Sequence, residues 1–346
     1  MNDSWPVCAT AFELTFHPLY RSAQFYALFI LMTAVAPLTY FIFWKMISST
    51  FHGNLKWVMT GYFGSVLIFT FYYGWISSYH SIIPFFAVDK CDLIIDRVLF
   101  KYGHIAALTL MTIPMFFPFA ISIERFYATM SAEHYERTRV LLGPLLTVIT
   151  VIVDCCIIAF IYKDEAFDDG SVSFAFIPNT SALRMFSFYW VLFFLNIFNF
   201  CINILLLRGN RRLKKLNNSS LAVRYQLEEV YLSTKFAVTV IFVHILFFGC
   251  YVVTVILVRY HGSYIFTDSI TLTAVRGATI SMIATYNFTI GFVAVYLYKR
   301  IQSKKMGEIR GNVQMKATGR DGAKNYDDAI FSVWNSLSST NDRAKR

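Results

Sequence analysis

The chain has 346 residues, of which 56% are hydrophobic, 18% aromatic and only 15% charged. A typical soluble domain is about 25% charged, and a soluble fold could not bury this much apolar surface. The composition excludes an ordinary soluble enzyme, a disordered chain and a disulfide scaffold, and it favours a membrane protein. The net charge of +10 suggests nucleic acid as a partner. The positions of the charges along the chain must decide whether this suggestion holds.

Seven stretches of the chain are long, apolar and almost free of charge. Crossing the hydrocarbon core takes about 20 helical residues, and in lipid each span must be a helix because its backbone groups find no other partners. We therefore predict an all-α bundle of seven transmembrane helices. The predicted helices cover about residues 22–44, 58–83, 102–125, 140–162, 185–207, 236–258 and 277–298.

The basic residues are unevenly distributed between the two sides of this bundle. If the N-terminus lies outside, 23 of the 31 Lys and Arg residues fall on the cytoplasmic side and 8 on the outer side. The positive-inside rule then predicts an external N-terminus and a cytoplasmic C-terminus. The predicted domains are an extracellular segment (1–21), a receptor domain (22–305) and a disordered cytoplasmic tail (306–346). The positive charge therefore marks the cytoplasmic face, and no nucleic acid is expected as a partner.

Covalent features of the predicted outer segments are consistent with this topology. Cys8 and Cys91 are the two cysteines on the oxidising side, which predicts a disulfide between them, with two free thiols as the alternative. Glycosylation sequons begin at Asn2 and Asn179 on the same side. Asn217 also begins a sequon but lies on the predicted inner side, where it should remain unmodified.

An acidic residue followed by arginine ends the predicted third helix on its inner side. This pair resembles the Asp/Glu-Arg-Tyr element of G-protein-coupled receptors, with Phe126 in the tyrosine place. The resemblance implies an arginine that is restrained at rest and released towards the G protein on activation. The alternative is a pair of ordinary boundary charges at the lipid headgroups. The candidate coupling residues are Glu124, Arg125, Phe126, Tyr127, Glu228 and Glu229.

Two inner motifs extend the resemblance to a narrower family. Residues 122–130 with 133–137, and residues 223–229 before the sixth helix, look like those of nematode serpentine chemoreceptors. The resemblance is greatest to the class alpha/beta (Srab) receptors of the Sra superfamily, with class alpha and class epsilon as alternatives. It implies a receptor in the plasma membrane of sensory neurons that couples an external small-molecule or peptide ligand to a heterotrimeric G protein. The seventh helix lacks Asn-Pro-x-x-Tyr, so that activation switch is not carried over.

The ligand site is predicted among residues in the outer halves of the helices, selected by depth. An apolar pocket with a few polar groups suits a small organic ligand. Asp154 is an acid deep within a span, and it either contacts ligand or bonds to a neighbouring helix. An acidic second outer loop would favour a cation and Arg276 an anion. The candidates are Trp75, Tyr79, His104, Met111, Asp154, Tyr189, Trp190, Tyr251 and Arg276.

Several polar residues within the spans have a structural interpretation. Asn196, Asn199 and Asn203 recur on one face of the fifth helix, which predicts hydrogen bonds to neighbouring helices. His244 is interpreted as a packing residue.

Other functional classes are less consistent with the sequence. A ligand-gated channel or transporter is the alternative function, although transporters usually contain internal repeats. The sequence has no pattern of metal ligands, phosphate loop or catalytic nucleophile, so neither enzyme activity nor a cofactor is expected. Besides the lipid bilayer and the G protein, a second copy of the chain is an open alternative as a partner.

Overall fold

The computed structural model describes residues 5–131, 135, 138–167, 171–216, 221–313, 327 and 331. Within these ranges the regular structure is helical, apart from one isolated antiparallel bridge between Ile95 and Ser171. The α-helices are α1 (Trp5–Phe16), α2 (Pro18–Tyr40), α3 (Gly53–Ile82), α4 (Arg97–Met130), α5 (Leu142–Ile161), α6 (Asn179–Leu216), α7 (Leu221–Ile265), α8 (Ser269–Ala278) and α9 (Ser281–Val313).

Each predicted transmembrane stretch corresponds to a long helical segment. Six segments are long and apolar enough to cross a membrane: Pro18–Met46, Arg97–Met130, Leu142–Ile161, Asn179–Leu213, Gln226–Ile265 and Ser269–Ser303. Helix α3 is the remaining long segment, with 30 residues that include many Gly, Ser, Thr and Tyr. Its polar side chains are buried against other helices, at Asn54, Ser65, Thr70 and Ser77 among others. A helix with a largely buried surface needs less apolar character to cross a bilayer.

The seventh segment differs from the prediction because it is broken. The sequence predicts one helix over 277–298, whereas α8 ends at Ala278 and α9 begins at Ser281. Before the break, the Asp268 side chain accepts hydrogen bonds from the backbone N–H groups of Ile270 and Thr271 and so caps the start of α8. Residues up to Tyr296 form one compact unit, and the unit from Leu297 onward contains the described remainder of α9.

The helix ends define two ends of the first unit. One end contains α1, the 3₁₀ turn Lys90–Leu93 and the start of α8, and we call it the disulfide end. The other contains the end of α4 and the start of α5, and we call it the arginine end. Helix α1 lies in a segment for which the sequence predicts only an extracellular location.

Buried amides connect the helices within the bundle. The Asn196 Nδ2 donates to the Met115 carbonyl at 3.2 Å, and the Asn203 Nδ2 donates to Ser122 Oγ at 2.5 Å. Both bonds run from α6 to α4, and Asn199 is buried on the same face. The predicted role of this asparagine stripe in interhelical hydrogen bonding is therefore confirmed for Asn196 and Asn203.

Candidate functional site

A buried ion pair occupies the arginine end. Arg125 is 1% exposed and Glu124 is fully buried. The Arg125 Nε donates to Glu124 Oε2 at 2.6 Å, and Nη2 donates to Oε1 at 2.7 Å. This bidentate arrangement is the strongest geometry for an arginine–carboxylate contact, but a buried pair is stable only if its remaining hydrogen-bonding groups are satisfied. Such burial does not fit a pair of boundary charges at the lipid headgroups.

Two neutral side chains from other segments complete this ion pair. The Tyr135 hydroxyl donates to Glu124 Oε1, and Ser233 Oγ of α7 accepts from Arg125 Nη1 at 2.5 Å. The Tyr135 ring also packs on the His52 ring just before α3, with 4.1 Å between the centroids. We call Glu124, Arg125, Tyr135 and Ser233 the arginine cluster. It joins α4, the segment that follows α4, and α7 at one point.

A small cavity of about 10 Å³ lies beside the arginine cluster. Glu229 lines it, and the Ser233 hydroxyl donates to the Glu229 carbonyl at 2.7 Å. Glu229 is therefore close to Arg125, as a restraint across the bundle requires, and Glu228 is half-buried beside it. Burial raises the pKa of Tyr135 above its ordinary value, so the phenol remains a hydrogen-bond donor at neutral pH.

Of the remaining residues at this end, some were predicted from the sequence to take part in coupling and others were not. Phe126 is exposed on the surface of α4, whereas Tyr127 is partly exposed and packs edge-on against Tyr135 of the cluster, with 6.1 Å between the ring centroids. The sequence analysis missed the roles of Tyr135 and Ser233. Tyr135 lies in the motif over residues 133–137. The sequence therefore drew attention to this position but did not indicate its hydrogen bond to Glu124. Ser233 follows Glu229 by about one helical turn, which is the only available sequence signal for its position.

The disulfide end is closed by the segment between α5 and α6. A disulfide joins Cys8 of α1 to Cys91. Phe174 is buried over Gly103, where an added Cβ would lie 2.4 Å from the ring. His104 Nδ1 donates to the Phe174 carbonyl at 2.7 Å, and Nε2 accepts from the Tyr162 hydroxyl at 2.9 Å. Both ring nitrogens of His104 are thus engaged, and this predicted ligand residue instead fixes the closing segment.

An open cleft with an accessible volume of about 240 Å³ lies beside the closing segment, between α6, α7 and α8. Tyr251 and Arg276, both predicted ligand residues, line it together. The sequence analysis did not include the aromatic and cationic residues that accompany them, because they can be grouped only once the helices are packed. The principal lining residues are Phe176, Phe186, Tyr251, Val255, Arg259 and Arg276.

Three other predicted ligand residues lie deeper in the bundle than this cleft. Tyr189 is fully buried behind Tyr251, with 6.1 Å between the ring centroids. Met111 lines a separate small cavity of about 20 Å³ that also contacts His244. Asp154 is fully buried, and among the described residues its carboxylate interacts only weakly, with the Thr112 hydroxyl of α4. These three residues do not meet at one surface.

The last three predicted ligand residues lie on or near the outer surface of the bundle. Trp75 is 53% exposed and lines a groove with Tyr79 on the side of α3. Trp190 stacks on Phe194, with 5.4 Å between the ring centroids. Residue depth along a helix was the basis of their selection, and depth does not specify the face of a helix. They are therefore separated from the cleft that Tyr251 and Arg276 line.

A hydrogen-bonded chain of aromatic residues crosses the middle of the bundle. The Tyr286 hydroxyl bonds to the Tyr62 hydroxyl and to His244 Nδ1, which is 3.0 Å away. His244 is buried and packs edge-on against the Tyr286 ring, in agreement with its interpretation as a packing residue. No group of three or more His, Cys, Asp or Glu side chains is arranged to hold a metal ion within the described ranges.

Of the two predicted glycosylation positions, one lies among the described residues and the other does not. Asn179 is exposed at the first residue of α6, and its Oδ1 lies 3.4 Å from both Nη atoms of Arg259. Asn2 lies outside the described residues. Glycosylation at either position remains a prediction.

The sequence matches a family model, "Serpentine type 7TM GPCR chemoreceptor Srb", over residues 16–248. The chain belongs to the Srb family of serpentine chemoreceptors. It is therefore an all-α, multi-pass membrane protein of the seven-transmembrane receptor type, as the sequence predicted. The region that matches contains Cys91 and the whole arginine cluster, whereas Arg259 and Arg276 of the cleft lie beyond its end.

Full-length relatives support the same family. The Srb chain is 49% identical over 335 residues to serpentine receptor class beta-7 of Caenorhabditis elegans, covering 97% of this chain and 96% of the relative. It is 47% identical over 337 residues to class beta-15 of the same organism, covering 97% and 100%. The resemblance to nematode serpentine chemoreceptors is confirmed. These relatives are of class beta, whereas the inner motifs resembled class alpha/beta most.

Proposed function

We propose that this Srb chain is a G-protein-coupled chemosensory receptor and not an enzyme. An external small molecule or peptide binds at the disulfide end, and the arginine end activates a heterotrimeric G protein. The observation that carries the proposal is the arginine cluster, in which a buried guanidinium bonds both to its own helix and to α7. Such a cluster has two alternative states, bonded and released, that ligand binding can bias.

In the proposed mechanism, Arg125 exchanges a hydrogen-bond partner within the receptor for partners on the G protein. At rest Glu124 and Tyr135 hold one side of the guanidinium, and Ser233 holds the other across the bundle. A displacement of α7 would remove the Ser233 acceptor and open the cavity that Glu229 lines. Arg125 would then be free to donate to carbonyl groups of a G protein that enters this space. Phe126 and Tyr127 are exposed at the same end and would contact the partner or the lipid headgroups.

The proposed orientation follows from the basic residues. The arginine end faces the cytoplasm, and the disulfide end, with Cys8 and Cys91, faces the oxidising exterior. The receptor resides in the plasma membrane of a sensory neuron, as a monomer or a dimer. An epitope at residue 1 should be reached by antibody on intact cells. A tag that is reached only after permeabilisation, or a glycan at Asn217 in place of Asn2 or Asn179, would contradict this orientation.

Substitution of the central arginine tests the coupling. Cells expressing the full chain and a G-protein reporter are screened against odorants and peptides, and an activator is then applied to Arg125→Ala. We expect the response to fall at least tenfold at unchanged surface expression, because the interaction released on activation is removed. Arg139→Ala is the matched control, since Arg139 is exposed at the same end. A normal response of Arg125→Ala contradicts the proposal, and a ligand-evoked current without G protein favours the channel alternative.

A further inference from the structure

The cleft at the disulfide end has an unusual combination of wall chemistry. Its apolar walls come from Phe176, Phe186 and Val255, and two cationic residues, Arg259 of α7 and Arg276 of α8, lie on the same side. None of the described residues that line the cleft is acidic. Both arginines line this one cleft, so their like charges repel each other there. A positively charged region beside an aromatic wall is therefore open to solvent in the cleft.

Neither arginine is neutralised by a carboxylate among the described residues. The Arg276 Nε is buried and has no hydrogen-bond partner within the part of the chain that the structure describes. Arg259 is bonded to the neutral Asn179 Oδ1, at 3.4 Å from each Nη atom. A buried donor without a partner has a free-energy cost, and so does a pair of like charges at close range. An anion placed between the two guanidinium groups would remove both costs.

The acidic residues of the closing segment do not compete for these arginines. Asp164 pairs with Arg184 at 2.8 Å, and Glu165 accepts hydrogen bonds from Thr180 and Ser181. Asp168 and Asp169 lie outside the described residues. From the sequence alone, the acidic second outer loop predicts a cationic ligand, whereas Arg276 predicts an anionic one. Asp164 and Glu165 already have partners and neither lines the cleft, so the arginines determine its charge.

We propose that the cleft binds an organic anion whose carboxylate, sulfate or phosphate group lies between Arg259 and Arg276 and whose apolar body packs on Phe176, Phe186 and Tyr251. Arginine remains charged at all physiological pH values and binds such oxyanions through paired hydrogen bonds. The accessible volume of about 240 Å³ is enough for a small organic anion. This inference rests on the proposed receptor function, because it specifies the chemical class of the external ligand.

The test compares probes that share one body and differ in charge. The full chain is purified in lipid nanodiscs, and its melting temperature is measured with 3-phenylpropionate, 3-phenylpropanol and 3-phenylpropylammonium, and with the corresponding phenylhexyl compounds. We expect the carboxylates to stabilise the receptor more than the alcohols or ammonium compounds. In Arg276→Gln the carboxylate affinity should fall about 10- to 100-fold, since a hydrogen bond to a charged group is lost, while alcohol affinity stays unchanged.

Two further variants make the test decisive. Arg184→Gln is the matched control, because Arg184 lies at the same end but pairs with Asp164, and it should bind the carboxylates as wild type does. Arg259→Gln replaces Arg276→Gln if the latter does not fold. Equal or preferred binding of alcohols or ammonium compounds, no stabilisation by any carboxylate, or unchanged affinity in both cleft variants overturns the inference. Because no G protein is present, failure of coupling to a G protein does not affect this result.

Discussion

The Tyr135 hydroxyl donates a hydrogen bond to the same Glu124 carboxylate that holds the Arg125 guanidinium. We predict that Tyr135→Phe keeps the ring packed on His52 but leaves a buried carboxylate oxygen short of a donor. The free energy of unfolding should fall by about 1–2 kcal/mol, and basal G-protein activation should rise because Arg125 Nη2 loses the Tyr135 oxygen as an acceptor. Thermal unfolding and basal nucleotide exchange measure the two effects. Tyr260→Phe, at an exposed position, is the control, and identical behaviour of both variants would contradict the role of Tyr135.

Ser233 supplies the hydrogen-bond acceptor for Arg125 across the bundle. Ser233→Ala should raise basal activity by a few-fold, because a buried guanidinium N–H loses its partner on α7. Ser233→Thr retains the hydroxyl and should restore the low basal level. Nucleotide exchange without ligand measures both variants at matched surface expression. If the alanine and threonine variants have the same basal activity, the hydroxyl does not restrain the resting state.

The two glutamates before the sixth membrane span provide a separate test of the restraint. Glu229 lines the cavity beside Arg125, and Glu228 precedes it on α7. The double substitution Glu228→Ala with Glu229→Ala removes negative charge near the guanidinium and should raise basal activity. The single variants identify which glutamate contributes, and Glu229→Ala should have the larger effect. Unchanged basal signalling in the double variant would show that these carboxylates do not hold Arg125.

Gly143 allows α5 to approach the backbone of α3 closely. Its N–H donates to Asn54 Oδ1 at 3.0 Å, and an added Cβ would lie 2.3 Å from the Asn54 carbonyl oxygen. Backbone atoms cannot rotate aside, so Gly143→Ala should destabilise the protein by about 1–3 kcal/mol or more. Gly64→Ala is the matched control, since nothing lies within 4 Å of its added Cβ. A similar melting temperature for both variants would contradict the close contact.

The cap of α8 predicts a specific pH dependence. Hydrogen bonds from the Thr271 side chain and from the backbone N–H groups of Thr271 and Ile270 lower the pKa of Asp268 below its ordinary value. The stabilisation is therefore present above the unfolded pKa of about 4, and it is lost as pH falls through the lower folded value. Asp268→Asn keeps an acceptor but not the charge. The difference in melting temperature between wild type and Asp268→Asn should be constant from pH 5 to 8 and shrink in acid. A change near neutral pH would contradict the lowered pKa.

The fold was predictable because lipid restricts the sequence strongly. Charged side chains are costly in hydrocarbon, so uncharged stretches of about 20 residues locate the spans without knowledge of the packing. The break after Ala278 was not predictable, because none of the residues there is a proline that would end a helix. The ends of α6 and α7 were also missed, since a helix can continue into water after its apolar stretch ends.

The site was predictable only where one position had a distinctive chemistry. Glu124 and Arg125 were found because an ion pair at the inner end of the third span is a specific combination. Trp75 was grouped with the ligand site because its depth is suitable, but in lipid both faces of a helix are apolar, so the sequence contains little information on orientation. Tyr135 and Ser233 meet Arg125 only through tertiary packing, and an isolated serine or tyrosine carries no signal of such a contact.

The contact between Asn54 and Gly143 has a mechanical consequence for the receptor. Helices α3 and α5 approach through backbone atoms at this point, and the Asn54 side chain, which accepts from the Gly143 N–H, also joins them. Helices α3 and α5 are therefore expected to move together as one rigid pair at the arginine end. A motion that frees Arg125 has to occur on the opposite side of the cluster. There the Ser233 hydroxyl of α7 is the hydrogen-bond acceptor that Arg125 would lose.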